Sequence, residues 1–133
     1  MVLYESSTVI TPQLLTTPGN AYDEPLYRVT IPVVNIGDLL LVFAVAEISN
    51  LRPAAIMIAS QIFLMGFPIS PVDVQDATNE HVTFERHAIY RCTQAFTNAT
   101  ITWYGWATSD NYPLGTSVTV EDVYGKLSVL ITS

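Results

Sequence analysis

The chain has 133 residues, enough for one domain with a self-sufficient core. Half of its residues are hydrophobic and 13% are charged, whereas soluble domains average about 25% charged. A net charge of −7 with only five lysines and arginines argues against binding to nucleic acid or to an anionic membrane. The shortage of charge predicts that part of the surface is covered by other copies of the chain or by another protein. A surface rich in Thr, Ser and Asn is the alternative.

The first quarter of the chain predicts an extended arm followed by a strand. Residues 6–10 are β-prone, and residues 12–25 contain prolines, glycine and asparagine typical of an ordered loop or arm. We therefore expect one domain over residues 1–133, with residues 1–25 as a partly extended N-terminal strand and arm. Residues 26–31 alternate like a strand. Pro32 predicts either the end of its pairing or an edge position, because proline donates no hydrogen bond to a ladder.

The most apolar strand is predicted at Leu39–Ala46, where both alternating sets of residues are hydrophobic. A strand with one wet face would alternate apolar and polar residues. Turn residues at 35–38 precede this run. The pattern predicts a strand that is covered on both sides, either by residues 54–67 of the same chain or by a neighbouring subunit.

Two segments in the middle of the chain are less regular. Residues 54–67 favour a strand through their β-branched content, although a helix beginning at Pro53 is the alternative. Residues 72–80 are acidic and predict a loop. Their oxygen-bearing side chains would suit calcium, but the spacing favours a solvated loop, so we predict no metal site.

The C-terminal half contains clear β-strand patterns. Alternation is visible over residues 80–92 and 99–108, and two further strands, 116–123 and 126–132, are predicted with a tight connection at 124–125. About eight strands with frequent turns and no necessary helix predict an all-β fold. The predicted architecture is an antiparallel β-sandwich of the jelly-roll type.

Four short segments resemble a known group of proteins. They are Val29–Pro32, the run Gly37–Leu41, the strand Ala88–Cys92 and the strand Thr100–Trp103. Together they resemble the small jelly-roll-like β-sandwich domains of bacteriophage capsid-decoration and tail-surface proteins, over about residues 26–108. The resemblance implies a module displayed on a virus particle, often as an oligomer, without catalysis and without a cofactor. The apolar segment 54–67 departs from this pattern, in which a polar loop would be expected.

The strongest candidate binding residues are the aromatic side chains Tyr104, Trp106 and Tyr112. They are open to three interpretations: core packing, a protein interface, in which Trp and Tyr are enriched, or stacking on sugar rings. Cys92 is the only cysteine and is predicted to be a small buried hydrophobe. No paired carboxylates or activated nucleophile can be identified, so we do not predict an enzyme.

These observations favour a structural virion protein, most simply a capsid decoration protein on the particle surface, made in the host cytoplasm. Its expected partners are further copies of itself, with a trimer favoured, and a viral capsid or tail protein. The alternative is a carbohydrate-binding or receptor-binding module of a phage tail or capsid, which would use the exposed aromatics to bind a glycan.

Overall fold

Ten β-strands make up the regular structure in a computed structural model that describes residues 1–6, 14–16, 24–49, 56–77, 82–107 and 117–133. The strands are Val2–Ser6 (β1), Leu14–Thr16 (β2), Glu24–Val34 (β3), Leu39–Ser49 (β4), Ile56–Leu64 (β5), Phe67–Pro68 (β6), Asp73–Ala77 (β7), Val82–Arg91 (β8), Phe96–Ala107 (β9) and Ser117–Thr132 (β10). The described residues form no helix, so none of them supplies a helix that could cross a bilayer.

The strands form two antiparallel sheets with four strand positions each. In the first sheet the order is β1-β10-β4-β8, and β2 pairs with a different part of β10. In the second sheet the order is β3-β9-β5-β6, and β7 pairs with a different part of β5. One position in each sheet is therefore filled by two short strands, β1 and β2 in the first sheet and β6 and β7 in the second. The result is an eight-position jelly roll, which confirms the predicted fold class.

The core between the sheets is centred on a stack of three aromatic rings. Trp103 of the second sheet lies between Tyr27, at a centroid distance of 6.0 Å, and Phe84 of the first sheet, at 5.6 Å. All three rings are fully buried. Aliphatic side chains from the inner faces of β3, β4, β5, β9 and β10 surround the stack. Because large aromatic rings bury the most apolar area per residue, this stack is a principal contact between the two sheets.

Arg86 extends the aromatic stack at the side of the sandwich where β7 approaches β8. Its guanidinium carbon lies 4.1 Å from the centroid of Phe84. Its Nε lies 3.3 Å from a carboxylate oxygen of Asp73, within ion-pair range but without hydrogen-bond geometry. Burial lowers the pKa of Arg86, and the charge of Asp73 partly opposes that shift. A basic residue at an inward position of β8 is thus accommodated by an aromatic face and a carboxylate.

The turn between β3 and β4 is anchored to the end of β8. Gly37 has a φ of +91°, a region that glycine enters without steric cost. The side chain of Asp38 accepts a hydrogen bond from the backbone N–H of Asn35 at 2.8 Å. The backbones of Gly37 and Cys92, and of Cys92 and Asp38, are joined by hydrogen bonds of 2.8 Å each. The predicted turn at 35–38 is confirmed, and Cys92 is buried as expected.

Of the two alternatives for the second face of β4, the described residues of the 54–67 segment do not supply the cover, and a neighbouring subunit stays a prediction. The inner residues Leu40, Val42 and Ala44 of β4 are buried, but Phe43 on the other face is 57% exposed. Within this segment Ile56–Leu64 forms a strand rather than a helix, as favoured, yet this strand, β5, belongs to the opposite sheet. It therefore adds to the core and leaves the outer face of β4 uncovered by any described residue.

The strand boundaries differ from the predictions at both ends of the chain. The predicted strands 116–123 and 126–132 form one strand, β10, with a register shift between Glu121 and Lys126 in place of a connection. The first strand is Val2–Ser6, and residues 7–10 of the predicted strand lie outside the described residues. Pro32 lies within β3, which is an edge strand, so the edge alternative holds.

The acidic segment 72–80 is only partly a loop. Asp73–Ala77 forms β7, which pairs with β5, while residues 78–80 lie outside the described part of the chain. Backbone pairing at the edge of β5 explains the difference, because an edge strand offers unpaired N–H and C=O groups to any adjacent segment.

Candidate interaction surface

Two of the three aromatic side chains predicted as a binding site, Tyr104 and Trp106, lie on the outer face of the second sheet. Tyr104 is half-buried and meets the ring of Phe63 edge-on at a centroid distance of 5.3 Å. Trp106 exposes 9% of its surface, and Tyr112 lies outside the described residues. The structure thus brings Tyr104 and Trp106 to the same face of β9. Their role in binding stays a prediction, and Tyr104 presents more surface than Trp106.

A different surface emerges on the outer face of the first sheet. Directly opposed residues in an antiparallel sheet project from the same face. Leu3 pairs with Leu130, Leu130 with Leu41, and Leu41 with Ile89. One line of four aliphatic side chains therefore crosses all four strand positions. We call Leu3, Leu130, Leu41 and Ile89 the apolar row.

The apolar row lies at the surface. Leu3 is 54% exposed and Ile89 is 73% exposed, while Leu41 and Leu130 are half-buried. The adjacent line of paired residues contains Phe43, whose ring lies 5.4 Å from the imidazole of His87. An apolar face that is continuous across a sheet differs from single exposed hydrophobic residues, which are common on any protein surface.

Charged groups flank the apolar row on both sides along the strands. Arg91 lies beyond it on β8, where its guanidinium donates a hydrogen bond to the Gly37 carbonyl at 2.8 Å. Glu85 lies toward the other end of the same strand, opposite Val45. At the β1 side, Lys126 contacts Glu5 at 2.8 Å, and the Ser128 hydroxyl donates to the same carboxylate at 2.9 Å. These hydrogen bonds, with that from Lys126 first, lower the pKa of Glu5.

A shallow depression of about 370 Å³ opens on this face between the apolar row and the end that carries Glu85. Its outward-facing lining residues are Phe43, Val45, Glu85, His87, Lys126 and Ser128. It combines an exposed aromatic ring with groups of both charges. Such a concave, mainly apolar site fits an inserted side chain or a small ligand.

The described residues show no arrangement typical of a metal centre. No group of three or more His, Cys, Asp or Glu side chains converges among them.

Burial raises the pKa of the Cys92 thiol, with the charge of Asp38 as a smaller cause. A buried thiol with a raised pKa is held in its unreactive neutral form.

Sequence reasoning predicted that the second face of Leu39–Ala46 needs a cover, but it did not identify the apolar row, although two signals were present. Leu39, Leu41, Phe43 and Val45 form the second apolar set of the central strand. Because successive side chains of a strand point to opposite faces, this set points outward when the first set is in the core. Ile89 is an apolar exception on the otherwise polar set of β8. Only the strand order places these two signals side by side.

The sequence matches no known protein family and no curated protein. Among solved structures, it is similar to that of the infectious bursal disease virus Gx strain, with a TM-score of 0.61 and 14% identity over 96% of this chain. The VP2 subviral particle of the same virus gives a TM-score of 0.59 and 12% identity over 96% of this chain. The chain spans about a third, 32%, of the length of each of these viral chains. At this identity the likeness shows a shared jelly-roll fold.

Proposed function

We propose that this chain is a non-enzymatic structural protein of a virus particle, which self-associates and binds the particle surface as a capsid decoration protein. The observation that carries the proposal is the outer face of the first sheet. The apolar row and Phe43 form one exposed surface on an otherwise complete β-sandwich. Contiguous apolar surface of this kind marks protein interaction sites. The jelly-roll fold shared with viral capsid structures supports the same proposal.

The chain would act by removing this apolar face from water. Burying one large aliphatic or aromatic side chain contributes about 1.5–3 kcal/mol, so Ile89, Leu3 and Phe43 together offer a substantial driving force when a partner covers them. Part of that gain is spent on lost rotational and translational freedom. A decoration protein overcomes this cost by repeated attachment to a lattice, since many weak contacts act together. We retain a trimer as the proposed arrangement of copies on the particle, with a contact between its three chains that is separate from this face.

The alternative is a glycan-binding module of a virion. Phe43 beside His87 provides an aromatic surface, and Glu85 and Lys126 in the same depression provide groups that bind sugar hydroxyls. This site is distinct from the predicted residues Tyr104 and Trp106, which lie on the other sheet. A glycan array with Phe43→Ala and Trp106→Ala variants separates the two locations. Loss of glycan binding on either substitution would favour this alternative and identify its site.

Sedimentation of virus particles tests the main proposal. Particles from a culture that carries the gene are banded on a density gradient, and each fraction is probed with an antibody against the chain. We expect the chain in the particle band at many copies per particle. A chain found only as free protein at the top of the gradient would overturn the proposal.

A further inference from the structure

The outer face of the first sheet carries charges in an order that suits a second copy of itself. Along β8 the outward residues run Arg91, Ile89, His87 and Glu85, all exposed. A positive and a negative charge thus stand at opposite ends of one strand, about 20 Å apart at the usual rise per residue. Between these charges lie Ile89, which is apolar, and His87, whose ring contacts Phe43.

We propose that this face is an isologous interface, in which two copies of the chain pack face to face about a two-fold axis. This inference deepens the proposed function by naming one partner, a second copy of the chain, and the surface it binds. The axis lies in the interface plane, across the strands, between the lines of Ile89 and His87. A closed two-fold contact requires a self-complementary surface, and this face meets that requirement.

The two-fold operation exchanges the ends of each strand. Arg91 of one copy then lies over Glu85 of the other, and the reverse pair forms at the opposite end. On β4 the same operation places Leu41 over Phe43 and Leu39 over Val45, because these residues share the cross-strand lines of the β8 residues. Apolar groups therefore meet at the centre, and opposite charges meet on the β8 side.

Other positions of the axis are less favourable. An axis along the apolar row would place Arg91 over His87 and leave the guanidinium without a carboxylate partner across the interface. An axis along the line of Phe43 and His87 would place Ile89 over the Glu85 carboxylate and desolvate that charge without a partner. The intermediate axis places Leu3 over Glu5, but the Glu5 carboxylate keeps Lys126 and Ser128 as partners. Only the intermediate position pairs the charges, and complementary charges fix register more than they add affinity.

The shape of the face agrees with this position. Ile89 is the most exposed side chain of the apolar row, and the depression beside it is lined by Phe43, His87 and Glu85. In the two-fold arrangement Ile89 of each copy lies over His87 of the other, at the edge of that depression. Each copy thus supplies both a protruding side chain and a recess that receives it.

The size of the face predicts weak association of the isolated protein. Four strands at about 4.8 Å spacing and seven residues at about 3.3 Å rise give roughly 440 Å² per copy. The total of roughly 900 Å² lies below the 1,200 Å² of standard stable interfaces. We therefore expect a dimer that forms at high protein concentration and is reinforced when copies are held together on a particle.

Analytical ultracentrifugation of the full chain with charge reversals tests the proposal. Arg91→Glu and Glu85→Arg each place like charges together at both ends, so each raises the dimer dissociation constant at least about tenfold. The double variant Arg91→Glu/Glu85→Arg restores opposite charges and returns the constant to within about threefold of the wild type. Restoration also shows that the variants are folded, since only a folded pair of surfaces regains its complementarity.

Two further variants test the apolar part of the interface. Ile89→Lys weakens the dimer at least about tenfold. Val33→Lys is the matched control, because Val33 is an exposed apolar residue on the edge strand β3 of the other sheet, and it leaves the constant unchanged.

Three results would overturn the inference. The first is a wild-type chain that stays monomeric at about 1 mM, because an interface of this size should associate measurably at that concentration. The second is a dimer of the double variant that remains as weak as the dimer of either single variant. The third is an oligomer whose dissociation constant does not change with Ile89→Lys. None of these results decides the proposed function, because attachment to particles is measured separately on the gradient. The chain could also form a dimer that the charge reversals and Ile89→Lys weaken, and yet be absent from particles. That result would support the inference and reject the proposed function.

Discussion

Gly125 of β10 and Tyr27 of β3 approach so closely that no side chain fits at position 125. A methyl group on Gly125 would overlap the phenol oxygen of Tyr27 and the ring carbon that carries it, and would lie 3.2 Å from the next ring carbon. The contact coincides with the register shift of β10 between Glu121 and Lys126. The shift therefore lies where the Tyr27 ring meets the backbone of the opposite sheet.

Gly125→Ala is accordingly expected to destabilise the fold by about 1–3 kcal/mol, the usual cost of overpacking a core. The backbone of Gly125 is not in the left-handed region, so the cost is steric. Urea unfolding measures it. In a Tyr27→Ala background, which removes the ring, the same substitution should cost much less. An equal cost in both backgrounds would contradict the proposed overlap.

Asp38→Ala is expected to lower the free energy of unfolding by about 1–3 kcal/mol, because it leaves the backbone N–H of Asn35 without its acceptor in a partly buried turn. Asp38→Asn keeps an acceptor oxygen at the same place and should cost less. Thermal unfolding of the two variants in parallel provides the comparison. Equal losses would mean that the charge, rather than the hydrogen bond, stabilises the turn.

Arg86 is expected to stabilise the sandwich mainly through its contact with Phe84 and less through its ion pair with Asp73. Asp73 is half-exposed, and exposed ion pairs contribute about 0–1 kcal/mol. A cation over an aromatic ring contributes about 0.5–2 kcal/mol and also packs its aliphatic stem. Chemical denaturation should therefore rank Arg86→Ala as more destabilising than Asp73→Asn. The reverse order would identify the ion pair as the dominant contact.

Stability is expected to fall at acidic pH, in part through Glu5. Lys126 and Ser128 lower the pKa of Glu5 in the folded chain, so the unfolded chain binds the proton at higher pH than the folded chain does. The contribution is complete above the ordinary carboxyl pKa of about 4.3 and is lost as pH falls through the lower folded value. Unfolding midpoints measured between about pH 6 and pH 3 should decrease less steeply for Glu5→Gln. Identical slopes for the two proteins would refute the contribution of this carboxylate.

Much of the fold was predictable because alternation and turn residues are local signals. The turn at 35–38 and the strand character of Leu39–Ala46 follow from residues that are close in the sequence. The same signals misled at Gly125, which resembles a turn residue but instead leaves space for the distant Tyr27. Contacts between residues this far apart have no local pattern.

The candidate surface was harder to predict than the fold for a related reason. Alternation assigns Leu41 and Phe43 to one face of their strand, but it does not say whether another layer covers that face. The apolar row exists only because the strand order β1-β10-β4-β8 aligns four separate residues. Arg86 shows the converse, since its inward charge interrupts the apolar alternation of β8, and only the contacts with Phe84 and Asp73 explain how it is accommodated.

The central claim, that the outer face of the first sheet is a protein interface of a virion protein, is tested most directly by particle sedimentation with surface variants. The wild type, Ile89→Lys and the matched control Val33→Lys are produced with the particles and banded on a density gradient. The account predicts that the wild type and Val33→Lys band with the particles, whereas Ile89→Lys remains largely at the top. Banding of Ile89→Lys at the wild-type level, or the absence of all three proteins from the particles, would contradict it.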